Sequence, residues 1–428
     1  MNAPLRLGIA GLGTVGIGVV KIVRQHAAML SMRTGRDITI TAVSARSRDK
    51  DRGFSLSAYA WEDDPVALAK RDDVDVYVEL MGGTDGPAKA SVDAAIAAGK
   101  NVVTANKAML AIHGQSLAED SENANVSLRY EAAVAGGIPV IKALSEGLAG
   151  NDVTRIVGVM NGSCNYILTR MESASLSYED VFAEADALGY LEADPQLDVG
   201  GIDAAHKLAI LSSIAFGTQV DFDGIELEGI ERVSIEDIQH ANDMGFKIKL
   251  LGVAQRTGRG LEQRMMPCLV PATSPMGQLQ GGTNMVAIEG DAVEQIVLRG
   301  PGAGEGPTAS AVMGDVCDIA RGTRLPVFGQ PAASLKKAER AASVLPAPYY
   351  LRMDLVDKPG ALAKIATVLG DAGVSIDRMR QYAHEDTTAP VLIVTHKTTR
   401  ADLDNAIEAM KATDVLRSDP VVLRIESV

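Results

Sequence analysis

Lys107, Glu192, Asp203 and Lys207 are the side chains whose types and spacing could move a proton. Lys107 closes the run Val102-Val103-Thr104-Ala105-Asn106-Lys107, which reads as a strand followed by a turn. That puts an ammonium just past the C-terminal end of a strand, the edge at which open parallel sheets bind ligands. Asp203 and Lys207 lie four residues apart in a segment predicted helical over 201–215, so they share one face. Two readings of the pair are open. On an exposed helix it is a surface salt bridge of little energetic consequence. On a buried helix its charges must be paired or functional. The neighbours Ala204, Ala205, Leu208, Ala209 and Leu211 are small or apolar and predict burial. The preceding loop adds carboxylates at Glu192, Asp194 and Asp198.

A second constellation lies near the N-terminus. Gly11, Gly13 and Gly16 form a G-x-G-x-x-G between an apolar strand over 5–10 and a helix running to about Arg24. The first glycine permits a tight turn, the second lets a pyrophosphate approach the backbone, and the third lets helix and strand pack closely. The helix start then offers free N–H donors and the positive end of its dipole. In a dinucleotide site, an acid at the end of the second strand would bind the ribose 2′-hydroxyl of NAD. Here that end reads Ser44-Ala45-Arg46-Ser47-Arg48, without a carboxylate. Guanidinium groups at Arg46 and Arg48 suit a 2′-phosphate. NADP(H) is the expected cofactor and NAD(H) the alternative.

The elements that must position these groups follow from periodicity. Strands are predicted over 5–10, 38–43, 74–80, 101–104 and 126–131, with helices over 88–98 and 108–123 between them. That alternation predicts a parallel sheet with helices on both faces. A small-residue run over 132–141 then leads into an α+β region, with strands over 154–160, 247–256 and 265–271. Its helix over 178–188 has Ser177 as N-cap and Gly189 as its stop. A glycine loop over 300–306 precedes a helix expected over 309–321, and 330–348 reads as a connector. Residues 349–425 read as a separate βαββαβ unit on the ferredoxin-like plan. The expected division is a dinucleotide domain over 1–132 and a catalytic and dimerisation domain over 133–308. A returning helix and connector over 309–345 and a terminal domain over 346–428 complete it.

Composition narrows the function classes. A chain of 428 residues suggests about three domains. A net charge of −14 argues against nucleic acid or an anionic membrane as partner. Three cysteines without tight spacing exclude a disulfide scaffold or Cys-rich zinc site and fit a reducing cytoplasm. The apolar stretch over 7–20 has the length of a signal-peptide core but holds five glycines, and it is too short to span a bilayer.

Taken in order, the motifs resemble homoserine dehydrogenase. They are Gly-Leu-Gly-Thr-Val-Gly (11–16), Val-Val-Thr-Ala-Asn-Lys (102–107), Tyr-Glu-Ala-Ala-Val-Ala-Gly-Gly-Ile-Pro (130–139) and Asn-Gly-Ser-Cys-Asn-Tyr-Ile-Leu (161–168). Gly-Tyr-Leu-Glu-Ala-Asp-Pro (189–195), Asp-Val-Gly-Gly-Ile-Asp-Ala-Ala-His-Lys (198–207) and Gly-Pro-Gly-Ala-Gly-Glu-Gly-Pro-Thr-Ala (300–309) extend the match over about 5–325. The tail, with Asp357-Lys358-Pro359-Gly360-Ala361-Leu362, resembles an ACT regulatory domain.

The resemblance implies interconversion of aspartate 4-semialdehyde and homoserine with NAD(P)H. Adding hydride to an aldehyde develops an alkoxide, which a nearby cation stabilises. By resemblance, Lys207 is the proton donor and Lys107 the second lysine. Glu192 meets the substrate ammonium, and Tyr190, Asp198 and Asp203 complete the substrate site. The cofactor falls to Gly11, Leu12, Gly13, Thr14, Val15 and Gly16, with Arg46, Thr104, Lys107, Gly189 and Gly304. The Glu131 carboxylate and the carbonyls of Val134, Gly136 and Ile138 match a loop that holds a monovalent cation, Na+ or K+. Hard oxygen ligands on a kinked backbone suit such an ion; a structural hinge without an ion is the other reading. The tail implies threonine as effector, or a dimerisation module without one, and a homodimer or homotetramer. The chain departs from the family at Ser163-Cys164, where two threonines are usual; within the matching second glycine loop, Glu305 would repel a phosphate and points that loop to the nicotinamide side. An acyl-enzyme semialdehyde dehydrogenase would instead need a reactive cysteine among Cys164, Cys268 and Cys317. A non-catalytic amino-acid sensor is disfavoured by the intact lysines and carboxylates.

Overall fold

The computed structural model describes residues 3–191, 194–341, 345–382 and 388–427. The N-terminal sheet is built from β1 (Leu5–Ala10), β2 (Ile38–Ser44), β3 (Ala60–Trp61), β4 (Val76–Glu79), β5 (Asn101–Thr104) and β6 (Leu128–Arg129). All pair in parallel, in the order β3-β2-β1-β4-β5-β6. Buried residues line both faces of β1 and β4, as expected of strands covered by helices on two sides. The order reverses beside β1, and the crevice at that reversal is where doubly wound sheets bind nucleotides.

The helix Thr14–Gln25 buries Gly16, Val19, Val20 and Val23, the spacing of one helical face. It packs on the helix Glu305–Arg321, which starts four residues earlier than its apolar pattern predicts, with Pro307 in its first turn. Pro is tolerated there because the first N–H groups of a helix have no intrahelical partner. Contact is close at Gly18, where a Cβ would fall 2.8 Å from the Glu305 carbonyl oxygen. Ala309, Val312 and Val316 thus join the same core as Leu7, Ile9 and Val19.

The second sheet is mixed. Among the described residues it runs Glu294–Pro301, Thr283–Gly290, Val153–Val159, Phe246–Thr257, Gly260–Pro271, Val421–Ile425, Tyr349–Val356, Thr388–Thr395, Ile376–Gln381. The hairpin Thr283–Gly290 with Glu294–Pro301 is not marked by a clean alternation in the sequence. The C-terminal unit has the expected βαββαβ order and its own core, with Leu351, Ile365 and Leu403 among it, and it also joins the catalytic sheet at one edge. Its last strand pairs in parallel with Gly260–Pro271 through Cys268–Arg424 and Leu269–Ile425, making one sheet of both units. Arg352 Nε to Asp237 at 2.5 Å and Tyr382 Oη to Asp243 at 2.6 Å add a second seam against the helix Ile235–Asp243. This edge pairing is not visible in the sequence, because strand pairing between distant segments leaves no local mark. No helix among the described residues is long and apolar enough to cross a membrane.

Candidate active site

The helix Ile202–Phe216 is buried along most of its length, including Asp203 and Lys207, which rules out the surface salt bridge and leaves the buried, paired reading. Lys207 Nζ lies 2.6 Å from Asp203 Oδ2 and donates to the Met160 carbonyl at 2.8 Å. Lys107, at the start of the helix Lys107–Asn123 beyond β5, places its Nζ 2.9 Å from Asp203 Oδ1. One carboxylate therefore bridges two ammonium groups, one from its own helix and one from the helix Lys107–Asn123. Burial works to raise the Asp203 carboxyl, but Lys207 and Lys107 outweigh it and hold it well below the usual carboxylate range. Asp203 stays ionised, and both lysines stay aimed at one point.

Asn161 organises the other wall, a role for which the sequence reading had not singled it out. Its Oδ1 caps the helix Gly162–Ala174 by accepting from the Cys164 N–H at 2.8 Å. Its Nδ2 donates to Asp198 Oδ1 at 2.9 Å and Asp203 Oδ2 at 3.1 Å. The available signal was an Asn directly after an apolar strand, a common N-cap position. These groups line a cavity of about 550 Å³ that also includes Val15, Gly136, Ser163, Gly189, Tyr190, Gly302 and Gly304. Tyr190 stacks on Tyr166 at 4.4 Å, and its carbonyl accepts from Ser163 Oγ at 2.6 Å. Glu192 lies outside the described residues. The loop with Gly302 and Gly304 lies beside the lysines, and Glu305 turns away to pair with Lys21 at 2.7 Å.

The glycine turn fits a dinucleotide. A Cβ on Gly11 (φ 99°) would meet the Leu80 carbonyl at 2.4 Å, and one on Gly16 the Gly11 carbonyl at 2.0 Å. Nothing lies within 4 Å of a Cβ on Gly13, so the helix start there is open to a phosphate. Leu12 is buried and Thr14 exposed beside it. A second cavity of about 550 Å³ runs from Gly11, Leu12 and Gly13 to Arg46, Ser47, Lys50 and Arg52. Lys50 and Arg52 were missed from sequence. Arg52 is buried and donates to the carbonyls of Leu12 at 3.3 Å, Lys50 at 2.8 Å and Ser47 at 2.6 Å, shaping the loop that carries Arg46. Thr104 is fully buried below the site; its hydroxyl donates to Glu79 at 2.6 Å and accepts from the Asn106 N–H at 2.9 Å.

Residues 131–138 bend sharply, with Ala135 (φ 56°) and Gly136 (φ 52°) both left-handed. An alanine held there costs about 1–2 kcal/mol, a strain that binding loops often carry. The Ile138 carbonyl accepts from Val140 N–H at 2.8 Å. The Glu131 carboxylate accepts from the N–H groups of Ile141 and Lys142, both at 2.9 Å. Burial and the neighbouring Asp315 push the Glu131 carboxyl up to about 7. Among the described residues no cluster of His, Cys, Asp and Glu has the makings of a metal site, so an ion here would rest chiefly on backbone carbonyls.

All three thiols are buried. Burial pushes the Cys164 thiol far up, Cys268 up to about 12, and Cys317 up as well. None is poised as a thiolate, which removes the chemistry an acyl-enzyme needs.

Comparison with known proteins agrees with the geometry. The family profile for homoserine dehydrogenase matches residues 139–317, that for its NAD-binding domain 11–131, and that for the ACT domain 349–414. A homoserine dehydrogenase of Neisseria gonorrhoeae is 43% identical over 433 residues, covering 99% of each chain. One from Pseudomonas aeruginosa is 40% identical, again over 99% of each. The crystal structure of a homoserine dehydrogenase from Thiobacillus denitrificans matches with a TM-score of 0.92 at 38% identity, covering 99% of this chain and 98% of that one. Alike over its full length in sequence and fold, and carrying a nicotinamide-binding domain, a catalytic domain and an ACT domain in that order, the chain belongs to the homoserine dehydrogenase family.

Proposed function

We propose that the chain interconverts L-aspartate 4-semialdehyde and L-homoserine in the cavity between Lys107, Asp203 and Lys207, with NADP(H) as the preferred cofactor. The observation that carries the reading is the single ionised Asp203 held between two ammonium groups at 2.6 and 2.9 Å. When bound, the nicotinamide supplies the hydride that adds to the aldehyde carbon. Lys207 gives its proton to the aldehyde oxygen as charge develops there, and takes it back in the oxidative direction. Lys107 adds a second positive charge at the same oxygen. Asp203 keeps both lysines in place, and Asp198 and Glu192 receive the substrate ammonium. Tyr190 closes the substrate side, and Gly189 and Gly304 border the cofactor.

Gly11, Leu12, Gly13, Thr14, Val15 and Gly16 hold the pyrophosphate and adjoining ribose, and Arg46 meets the 2′-phosphate. Replacing Arg46 by Glu is expected to lower kcat/KM with NADP by about tenfold or more and to leave NAD nearly unaffected, since one charge-assisted pair is lost and one repulsion added. Steady-state rates with both cofactors measure it; an unchanged NADP preference removes Arg46 from specificity.

The bend over 131–138 takes Na+ or K+, with the Val134 and Gly136 carbonyls as first ligands and Ile138 and Glu131 beside them. The ACT unit takes threonine near Gly360, which caps the helix Ala361–Asp371 in a left-handed turn (φ 88°). Chains associate as a homodimer or homotetramer in the cytoplasm. One assay tests these readings together: homoserine oxidation with NADP and NAD in parallel, with and without threonine, in sodium or in tetramethylammonium salt. Reduction of either cofactor that depends on homoserine and falls with threonine is the expected result. Absence of reduction overturns the substrate, and indifference to threonine or to the salt overturns the effector or the ion. Light scattering at the mass of one chain would overturn the oligomer.

A further inference from the structure

Lys249 lies on the strand Phe246–Thr257, buried to 4% exposure, and burial pushes its ammonium down to about 8. Its Nζ donates to Asn165 Oδ1 at 2.8 Å and to the Leu279 carbonyl at 2.5 Å. Both of these acceptors are neutral. Asn165, itself 1% exposed, donates its Nδ2 to the Gly281 carbonyl at 2.6 Å. One ammonium thus ties a strand to the helix Gly162–Ala174 and to the loop that ends at Gly282. Burying a charge against neutral acceptors is costly, and an unbranched apolar side chain of similar length would fill the same space.

The two tied segments lead to the same place. The helix begins with Asn161, Gly162 and Ser163 on the cavity wall, and the loop delivers Gly282 to that wall. The contact between them is tight: a Cβ on Gly162 would fall 2.7 Å from the Gly282 carbonyl oxygen. The Tyr190 ring stands across from them, 3.9 Å from where a Cβ on Gly282 would lie.

We propose that Lys249 is a positioning residue for the substrate cavity, clamping the loop from Leu279 to Gly282 against the helix start at Asn161–Ser163 so that this wall is set before substrate arrives. The inference rests on reading that cavity as the substrate site. A pre-formed wall lowers the ordering cost of binding, so its loss falls on substrate affinity. The dinucleotide turn lies in the other sheet and is not touched by the clamp.

The test is Lys249→Met in the full chain, with Asn165→Ala as a second variant and the double variant beside them. KM for homoserine is expected to rise about tenfold, with kcat changed about threefold at most and NADP affinity unchanged. The double variant is expected to be no worse than the larger single effect, because both changes break one clamp. A lysine that only stabilised the fold would lower the melting temperature and leave the KM of the folded enzyme as it was; that result overturns the proposal. If Lys249→Met does not fold, an unchanged KM in Asn165→Ala overturns it equally. If the wild-type chain does not oxidise homoserine, the reading of the cavity fails. Hydrogen exchange then decides the clamp alone: faster exchange over 279–282 in the variant supports it, and unchanged exchange overturns it.

Discussion

Lys207→Ala is expected to lower kcat for homoserine oxidation by about 10²–10⁴-fold, the usual range for loss of a positioned general acid–base. NADP affinity is expected to stay within about twofold, because Lys207 stands on the helix Ile202–Phe216 and not at the glycine turn. The local structure tolerates the change. The Met160 carbonyl keeps a donor in Asn284 Nδ2 at 3.1 Å, and Asp203 keeps Lys107 and Asn161. Lys207→Arg separates two roles. A guanidinium restores the positive charge but does not release a proton at ordinary pH. An arginine variant as slow as the alanine one assigns proton transfer to Lys207, and recovery to near wild type would assign it electrostatics alone. Turnover within tenfold of wild type in the alanine variant would remove Lys207 from the mechanism.

Asp203→Asn is the second large effect. The change keeps the shape and removes the one charge that separates two ammonium groups. Breaking a buried ion pair by neutralising one partner costs about 3–5 kcal/mol. Part of that cost should appear as lost stability and part as lost kcat/KM, since one lysine is driven to give up its proton or move away. The pH dependence has a definite sign. The folded carboxyl is held below the usual range by Lys207 and Lys107 against the opposing effect of burial. Its stabilisation is therefore fully present above the unfolded value, about 3.9, and is lost as pH falls through the lower folded value. Urea unfolding of both proteins between about pH 3 and 7 should show a constant gap above about pH 5 that narrows on further acidification. A gap that is absent, or that widens towards low pH, would show that Asp203 does not hold the pair.

Much of the site was legible because its chemistry is local. The Asp203–Lys207 pair follows from helical spacing alone, and the apolar neighbours predicted its burial. The glycine turn is a steric statement: at Gly11 and Gly16 any side chain collides with backbone, so the residue type reports the geometry. Caps read the same way, and the Ser177 hydroxyl does accept from the Asp180 N–H at 3.2 Å. Boundaries were less secure where a proline sits inside a first turn, as at Glu305–Arg321, since propensity counts against a residue that the end of a helix accepts.

What the chain alone determined was the order of elements, the dinucleotide turn, and the face of the helix that carries Asp203 and Lys207, because backbone sterics and helical period act over a few residues. Tertiary structure decided that Lys107 meets Asp203, that Asn161 links Asp198 to Asp203, and that Arg52 shapes the loop under Arg46. It also decided that Lys249 ties a loop to a helix, and that the terminal unit continues the catalytic sheet. Apart from the Arg52 bonds to Ser47 and Lys50, each of these joins segments far apart in sequence. Their partners are set by how packed elements approach, and the cost of leaving a buried charge or a strand edge unpaired is settled only once the whole chain has folded.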